Sequence, residues 1–385
     1  MTVSKTNNGV CIRGFKAAGV REGKTGVAII ASETVCESAG VFTTNSVKAA
    51  PVILTKKKVK KGINAVVVNS GNANACVAEG VKDAEEMCTH TAETLGIKPE
   101  NIGIASTGII GRRLNTAEIK KLITKTAKQL GCSPEKSLDA AKAIMTTDSK
   151  AKTVSAKYKG IEVGAIAKGA GMIAPNMATM LCMITTNANL TQTKLQGALT
   201  ESIKESFNMI VVDGDESTND TVLLMSNKTK DCSVSDFRKV LDYVTKAVAK
   251  KIAYDGEGAT KGIELSVVNA KDEKQARKAV KAILSSPLVK TAVYGENPNW
   301  GRILSKLGSV VKVDYRKVSV LFSDGRTREY ALKAGGKRGN LAKLERILKS
   351  GEIKIVVDLK SGKAKAVGWG CDLTLGYVKV NAEYN

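Results

Sequence analysis

A lysine, a glycine turn, a proline and a threonine fall within one stretch of the chain, Ala167-Lys-Gly-Ala-Gly-Met-Ile-Ala-Pro-Asn-Met-Ala-Thr-Met-Leu-Cys-Met-Ile184. Thr179 stands at the mouth of a long apolar run, and the small Ala178 before it leaves its own carbonyl unhindered. A threonine hydroxyl is a poor nucleophile until a base takes its proton. The chain has a single histidine, His90. It lies in Asp83-Ala-Glu-Glu-Met-Cys-Thr-His-Thr-Ala-Glu-Thr-Leu95, whose spacing predicts an exposed helix with Ala84, Met87, Thr91 and Leu95 inward and His90 at the surface. Without histidine the obvious base is the threonine's own α-amine, whose unperturbed pKa of roughly 7.7 to 8.0 suits proton transfer near neutrality. That amine exists only once the Ala178-Thr179 bond is cut, so self-cleavage would create the catalyst. The residues leave a plainer reading open, in which Thr179 is β-branched filling of a buried strand.

Other chemistries find less support. One histidine excludes multi-histidine metal sites and ties any Ser-His-Asp catalyst to His90, so no metal is expected. Gly169-Ala-Gly171 lacks the third glycine of a dinucleotide loop, no phosphate-binding loop is present, and no cofactor is expected. Asp213-Gly-Asp-Glu-Ser-Thr-Asn-Asp220 looks superficially like a calcium loop, but it lacks the glycine and distal glutamate such a loop needs. A polar turn is expected there. Eight scattered cysteines without a C-x-x-C, and an N-terminus without a signal or transit pattern, lead to the expectation of a reduced, cytoplasmic protein.

The net charge of +23 invites a nucleic-acid reading. Aromatics, however, are 4% of the chain, and no recognition helix, zinc finger or single-strand-binding signature accompanies the lysines. No nucleic-acid partner is expected. The charge-free stretch Gly169 to Thr193 is long enough to span a bilayer, yet Pro175, Asn176 and Asn187 make a membrane helix costly, so buried interior and no membrane are expected.

The elements that must carry these residues read as mixed α/β layers, sheets packed against helices, with no pure parallel sheet. Val27-Ala-Ile-Ile30 and Ala65-Val-Val-Val68 predict buried strands. Asn115 with Glu118 three residues on predicts a capped helix through Ile119, Leu122, Ile123, Ala127 and Leu130 that stops at Gly131. Further helices are expected from Pro134 to about Met145, Leu195 to Phe207, Ser235 to about Ile252 and Glu273 to Leu284. Strands are expected at Ile263 to Val268, Ser309 to Phe322 and Glu352 to Val380, the last with a hairpin turn at Lys360-Ser-Gly-Lys363. This order suggests a domain over 1–260 and a smaller α/β domain over 261–385.

Lys168-Gly-Ala-Gly-Met-Ile-Ala-Pro-Asn-Met-Ala-Thr179-Met-Leu closely resembles the self-processing motif of the ornithine acetyltransferase family, also called glutamate N-acetyltransferase. Further blocks match in the family's order. They include Val41-Phe-Thr-Thr-Asn45, Asn69-Ser-Gly-Asn-Ala-Asn-Ala75, Ser106-Thr-Gly-Ile-Ile-Gly-Arg112, Met145-Thr-Thr-Asp148, Val212 to Asp220, Gly256-Glu-Gly-Ala-Thr-Lys261 and Asn297-Pro-Asn-Trp-Gly-Arg302. The resemblance implies an N-terminal-nucleophile-like enzyme of arginine biosynthesis that cuts itself into chains 1–178 and 179–385. Thr179 would then carry an acetyl group from N2-acetylornithine to glutamate in a ping-pong cycle.

By the same resemblance Thr107 and Gly108 stabilise the oxyanion, while Thr146 (or Thr147), Lys168, Glu257 and Asn381 contact substrate. The family usually continues past Tyr384 to a hydroxyl residue that also touches substrate; here Asn385 stands in that region, so either its amide substitutes or the contact is missing. Acetyl-CoA as a second donor is left open by the sequence, and the resemblance implies a heterotetramer of two α and two β chains. A self-cleaving amidase or aminopeptidase with the same threonine, and a basic nucleic-acid-binding protein, are the competing readings.

Overall fold

The computed structural model describes residues 2–173, 180–336 and 338–383. Its strands in chain order are β1 (Ser4–Thr6), β2 (Phe15–Glu22), β3 (Thr25–Phe42), β4 (Ile63–Asn72), β5 (Ile102–Ile109), β6 (Lys152–Tyr158), β7 (Ile161–Lys168) and β8 (Leu181–Asn189). There follow β9 (Ile210–Val211), β10 (Thr221–Asp231), β11 (Gly262–Ala270), β12 (Ser319–Ser323), β13 (Arg328–Leu332), β14 (Glu352–Asp358) and β15 (Ala364–Cys371). Two compact units divide them. The first comprises 1–169, 176–207 and 215–248, and the second gathers 249–385 with the short segments 170–175 and 208–214.

The first unit is built on a nine-stranded sheet in the order β1-β6-β7-β8-β10-β3-β4-β5, with β2 also paired to β3. Its β8–β10 and β4–β5 pairs are parallel and the others antiparallel, so the sheet is mixed as expected. The apolar run in β3 is buried on both faces for a simple reason. Successive side chains point to opposite sides of a strand. Val27 and Ile29 join a cluster with Ala65, Val67, Met87 and Ile119, while Ala28 and Ile30 join another with Val66, Val68, Phe15 and Ala140. Helices α1 (Ala50–Lys58), α2 (Gly80–Leu95) and α3 (Thr116–Ala127) supply the first cluster's cover, and α4 (Pro134–Ala143) supplies the second's. Asn115 caps α3 by accepting from the Glu118 N–H at 3.2 Å, as the spacing predicts. Helices α5 (Gln192–Lys204) and α6 (Val234–Tyr254) are joined within this unit by the Ser202 and Thr245 hydroxyls at 2.8 Å.

The second unit holds a six-stranded sheet, β13-β12-β14-β11-β15-β9. The amphipathic helix α7 (Glu273–Leu284) buries Ala276, Ala279, Val280 and Ile283. Helices α8 (Pro287–Tyr294), α9 (Trp300–Gly308), α10 (Leu341–Leu348) and α11 (Leu375–Ala382) complete the unit.

Three expectations are corrected here. Of the Ser309 to Phe322 segment only the residues from Ser319 onward are strand, in β12 (Ser319–Ser323). Upstream, Asp314 accepts from the Arg316 N–H and guanidinium at 3.2 and 3.0 Å and turns the chain. Lys360 to Lys363 does not join a hairpin, because β14 and β15 flank β11 on opposite sides, one parallel and one antiparallel. The Ser361 and Gly362 N–H groups donate instead to the Asn269 carbonyl at 2.8 and 2.9 Å, at the end of the intervening strand. After Cys371 the chain forms α11 over Leu375–Ala382 in place of a strand. The Thr374 hydroxyl caps α11 by accepting from the Tyr377 N–H at 3.3 Å, and this overrides the strand-like spacing of its apolar residues.

Candidate active site

Strand pairing brings the sequence-predicted residues of the first unit to neighbouring strand ends. Thr107 is buried near the end of β5, opposite Ser70 of β4, and Gly108 stands opposite Gly71. Gly108 has φ +134°, and a Cβ there would lie 2.3 Å from the Gly71 carbonyl carbon and 2.4 Å from the Asn72 nitrogen. Only glycine fits both the backbone angle and the close approach. The peptide leading into Thr107 is fixed by side chains. Ser106 Oγ donates to Asn69 Oδ1 at 2.5 Å, and Asn219 Nδ2 donates to the Ser106 carbonyl at 2.8 Å and the Ala73 carbonyl at 2.6 Å.

Lys168 ends β7 and is 3% exposed. Its Nζ donates to Thr107 Oγ1 at 3.3 Å. A hydroxyl that accepts from an ammonium keeps its own hydrogen free to point elsewhere, so the pair can present a polarised O–H donor. Asp148, in the turn before β6, supplies the counter-charge. Its Oδ1 accepts from Lys152 Nζ at 2.6 Å and from the Gly169 N–H at 2.7 Å, and its Oδ2 accepts from the Thr146 N–H at 3.1 Å. Burial works to raise the Asp148 pKa, but the charges of Lys168 and Lys152 and these hydrogen bonds outweigh it and hold the carboxyl below the usual range. Thr146 and Thr147 are both half-buried in this turn, with Thr146 tied through its backbone.

Asp220 behaves in the opposite way. It is fully buried, and burial pushes its carboxyl well above the usual range, against the pull of the Met180 N–H and Lys168 and with the help of Glu216. Ala178 and Thr179 lie outside the described residues, as does Asn385.

In the second unit Glu257 is half-buried and its N–H donates to the Ala170 carbonyl at 2.9 Å. A Cβ on Gly171 would lie 2.4 Å from the Glu257 carboxyl, so glycine makes room for that group. Asn381 Nδ2, on α11, donates to Glu257 Oε2 at 2.8 Å. Asp213 takes the next two backbone groups, the Met172 N–H at 2.6 Å and the Ile173 N–H at 2.8 Å.

Sequence reasoning did not single out Asp148, Lys152, Asn219 or Asp220 as site residues. Asp148 and Asp220 each close a recognised motif block, Asn219 stands one residue before Asp220, and two adjacent polar residues at the start of an apolar strand were the signal available. His90 is half-buried at the surface of α2, with Nε2 within 3.1 Å of the Lys120 carbonyl and 3.0 Å of the Thr124 hydroxyl, and it ties α2 to α3.

The ArgJ family profile matches residues 13–385. A glutamate N-acetyltransferase of Methanosarcina acetivorans is 45% identical over 99% of this chain and 100% of its own. An arginine biosynthesis bifunctional protein ArgJ of Caldanaerobacter subterraneus subsp. tengcongensis is 44% identical over 97% of each chain. Among solved structures, an arginine biosynthesis bifunctional protein argJ from Bacillus halodurans is 38% identical with a TM-score of 0.49, covering 52% of this chain and 98% of that one.

Proposed function

Because the chain belongs to the ArgJ family, we propose that it is a glutamate N-acetyltransferase of arginine biosynthesis that moves an acetyl group from N2-acetylornithine to glutamate. The observation that carries this reading is the end-to-end likeness to enzymes of that name. The buried pairing of Lys168 with Thr107 supports it.

In the proposed cycle the Ala178-Thr179 bond is first hydrolysed within the folded chain, a water oxygen joining the Ala178 carbonyl carbon as a carboxylate, with one of its hydrogens going to the freed Thr179 amine and the other to solvent. The Thr179 hydroxyl then attacks the acetyl carbonyl of N2-acetylornithine and passes its proton to the free α-amine. A C–O bond forms and the carbonyl oxygen becomes an oxyanion, toward which the Thr107 hydroxyl and the Gly108 N–H donate. When the C–N bond breaks, the ammonium returns its proton to the departing ornithine amine and leaves acetyl-Thr179. The glutamate amine then attacks the ester, its proton goes to the Thr179 oxygen, and N-acetylglutamate departs. Lys168 is suited to a substrate carboxylate, and Glu257 with Asn381 to an ammonium group. Thr146 and Asn385 are proposed as further substrate contacts.

No cofactor enters this cycle, and acetyl-CoA is a candidate second donor. Among the described residues no helix is long and apolar enough to cross a membrane. A cytoplasmic heterotetramer of two α and two β chains is the assembly we propose.

Denaturing intact-mass measurement tests the reading. Active protein should appear as fragments 1–178 and 179–385, and N2-acetylornithine should add one acetyl to the second. Thr179→Ala should stay whole and inactive. A single uncut species from active protein overturns the mechanism, and ornithine release that is equally fast without glutamate favours an amidase.

A further inference from the structure

We propose that Asp220 is a positioning residue for Thr179, with one carboxyl oxygen fixing the peptide that follows the nucleophile and the other partnering the amine that cleavage sets free. The inference rests on the reading of Thr179 given above. Asp220 immediately precedes β10 and is 0% exposed. Its Oδ1 accepts from the Met180 N–H at 2.9 Å, and that nitrogen belongs to the peptide bond Thr179 makes on its carboxyl side. The Thr221 N–H donates to the Met180 carbonyl at 3.1 Å, so Asp220 and the first residue of β10 hold Met180 on both sides.

Among the described residues Asp220 Oδ2 is buried without a hydrogen-bond partner. Folded proteins rarely leave a buried carboxyl oxygen unspent, because the lost hydration is not repaid. The orphan is explained when its partner is made only after folding, as an amine released next to Met180 is. Lys168 and Glu216 are the charged groups that bear on this carboxyl, one drawing its pKa down and the other up. Burial dominates both and raises the carboxyl well above its usual range, and a newly freed amine is the kind of charge partner that draws it back down. The carboxyl and the amine then titrate as a pair.

Asp220→Asn tests the idea, because the amide keeps an acceptor for the Met180 N–H and removes only the second oxygen. The variant should be cut and should lose about ten- to a hundredfold in kcat, with KM for N2-acetylornithine little changed. The acid limb of its pH profile should move to lower pH, since a neighbouring carboxylate no longer favours the charged amine. Asp220→Glu should recover part of both changes. An Asp220→Asn enzyme with wild-type kcat and pH profile overturns the proposal.

Should the variant not fold, wild-type protein labelled with 13C-aspartate decides. Its labelled carboxyl bands in the infrared should shift when Thr179 is acetylated, and an unmoved spectrum overturns the proposal. Wild-type protein that is active but uncut brings down the reading of Thr179 as well. Cut, acetylated wild type beside an unchanged variant removes only the role of Asp220.

Discussion

At the strand ends of the first unit, Asp148, Lys152 and Lys168 are 8%, 1% and 3% exposed, and their charges are met by one another and by backbone N–H groups. In the second unit Glu257 and Asn381 make their hydrogen bond on exposed ground. Groups aligned in a dry interior do not reorganise when charge develops, which suits them to stabilising a transition state. Groups at a wet surface can adapt to a ligand but contribute less to a reaction barrier. Substitutions in the first region should therefore act on stability and kcat, and those in the second on KM.

The severest test of this contrast is Asp148→Asn, which strips the counter-charge from two buried lysines and should cost about 3 to 5 kcal/mol of stability. A carboxyl held below its usual range contributes stability above the unfolded pKa, near 4 for aspartate, and loses it as pH falls through the depressed folded value. The variant's deficit in thermal midpoint should thus be larger at pH 7 than at pH 3, and a deficit independent of pH would break the comparison. Asp220 carries the opposite sign. Its raised pKa means that its contribution is present below about pH 4 and is lost as pH rises toward the folded value.

Next in size, Thr107→Val removes one oxyanion donor at nearly constant shape. It should lower kcat about a hundred- to a thousandfold while KM stays close to wild type; a change confined to KM would place Thr107 among the substrate contacts instead. Glu257→Gln should do the reverse, raising KM for N2-acetylornithine about tenfold through loss of a charge-assisted hydrogen bond, with kcat little altered. A collapse of kcat there would erase the distinction between the two regions. The smallest effect belongs to His90→Ala. Its loss of contacts to Lys120 and Thr124 should cost about 1 kcal/mol and leave cleavage and turnover intact, as steady-state assays and thermal melts can establish.

Local features were legible in advance wherever one element could decide them. The Asn115 cap, the stripe of α7 and the two-sided burial of Val27 to Ile30 all follow from periodicities within a few residues. The insertion of β11 between β14 and β15 was not legible, because a turn of four residues looks the same whether its strands pair or part around a third. The site divides in the same way. Lys168, Thr107 and Gly108 stand in motifs, but the role of Asp148 needs β6 beside β7, and that of Asp220 needs a bond to Met180, 40 residues away.

That separation also sets a timetable for the newly made chain. The hydrogen bonds in which Asp220 accepts from Met180 and Thr221 donates to it form only after β10 has been synthesised and laid parallel to β8. A ribosome adding about 5 to 20 residues each second takes about 2 to 8 seconds to cover that distance. The proposed scission at Ala178-Thr179 would then be a post-assembly event, its earliest moment fixed by the arrival of a distant strand.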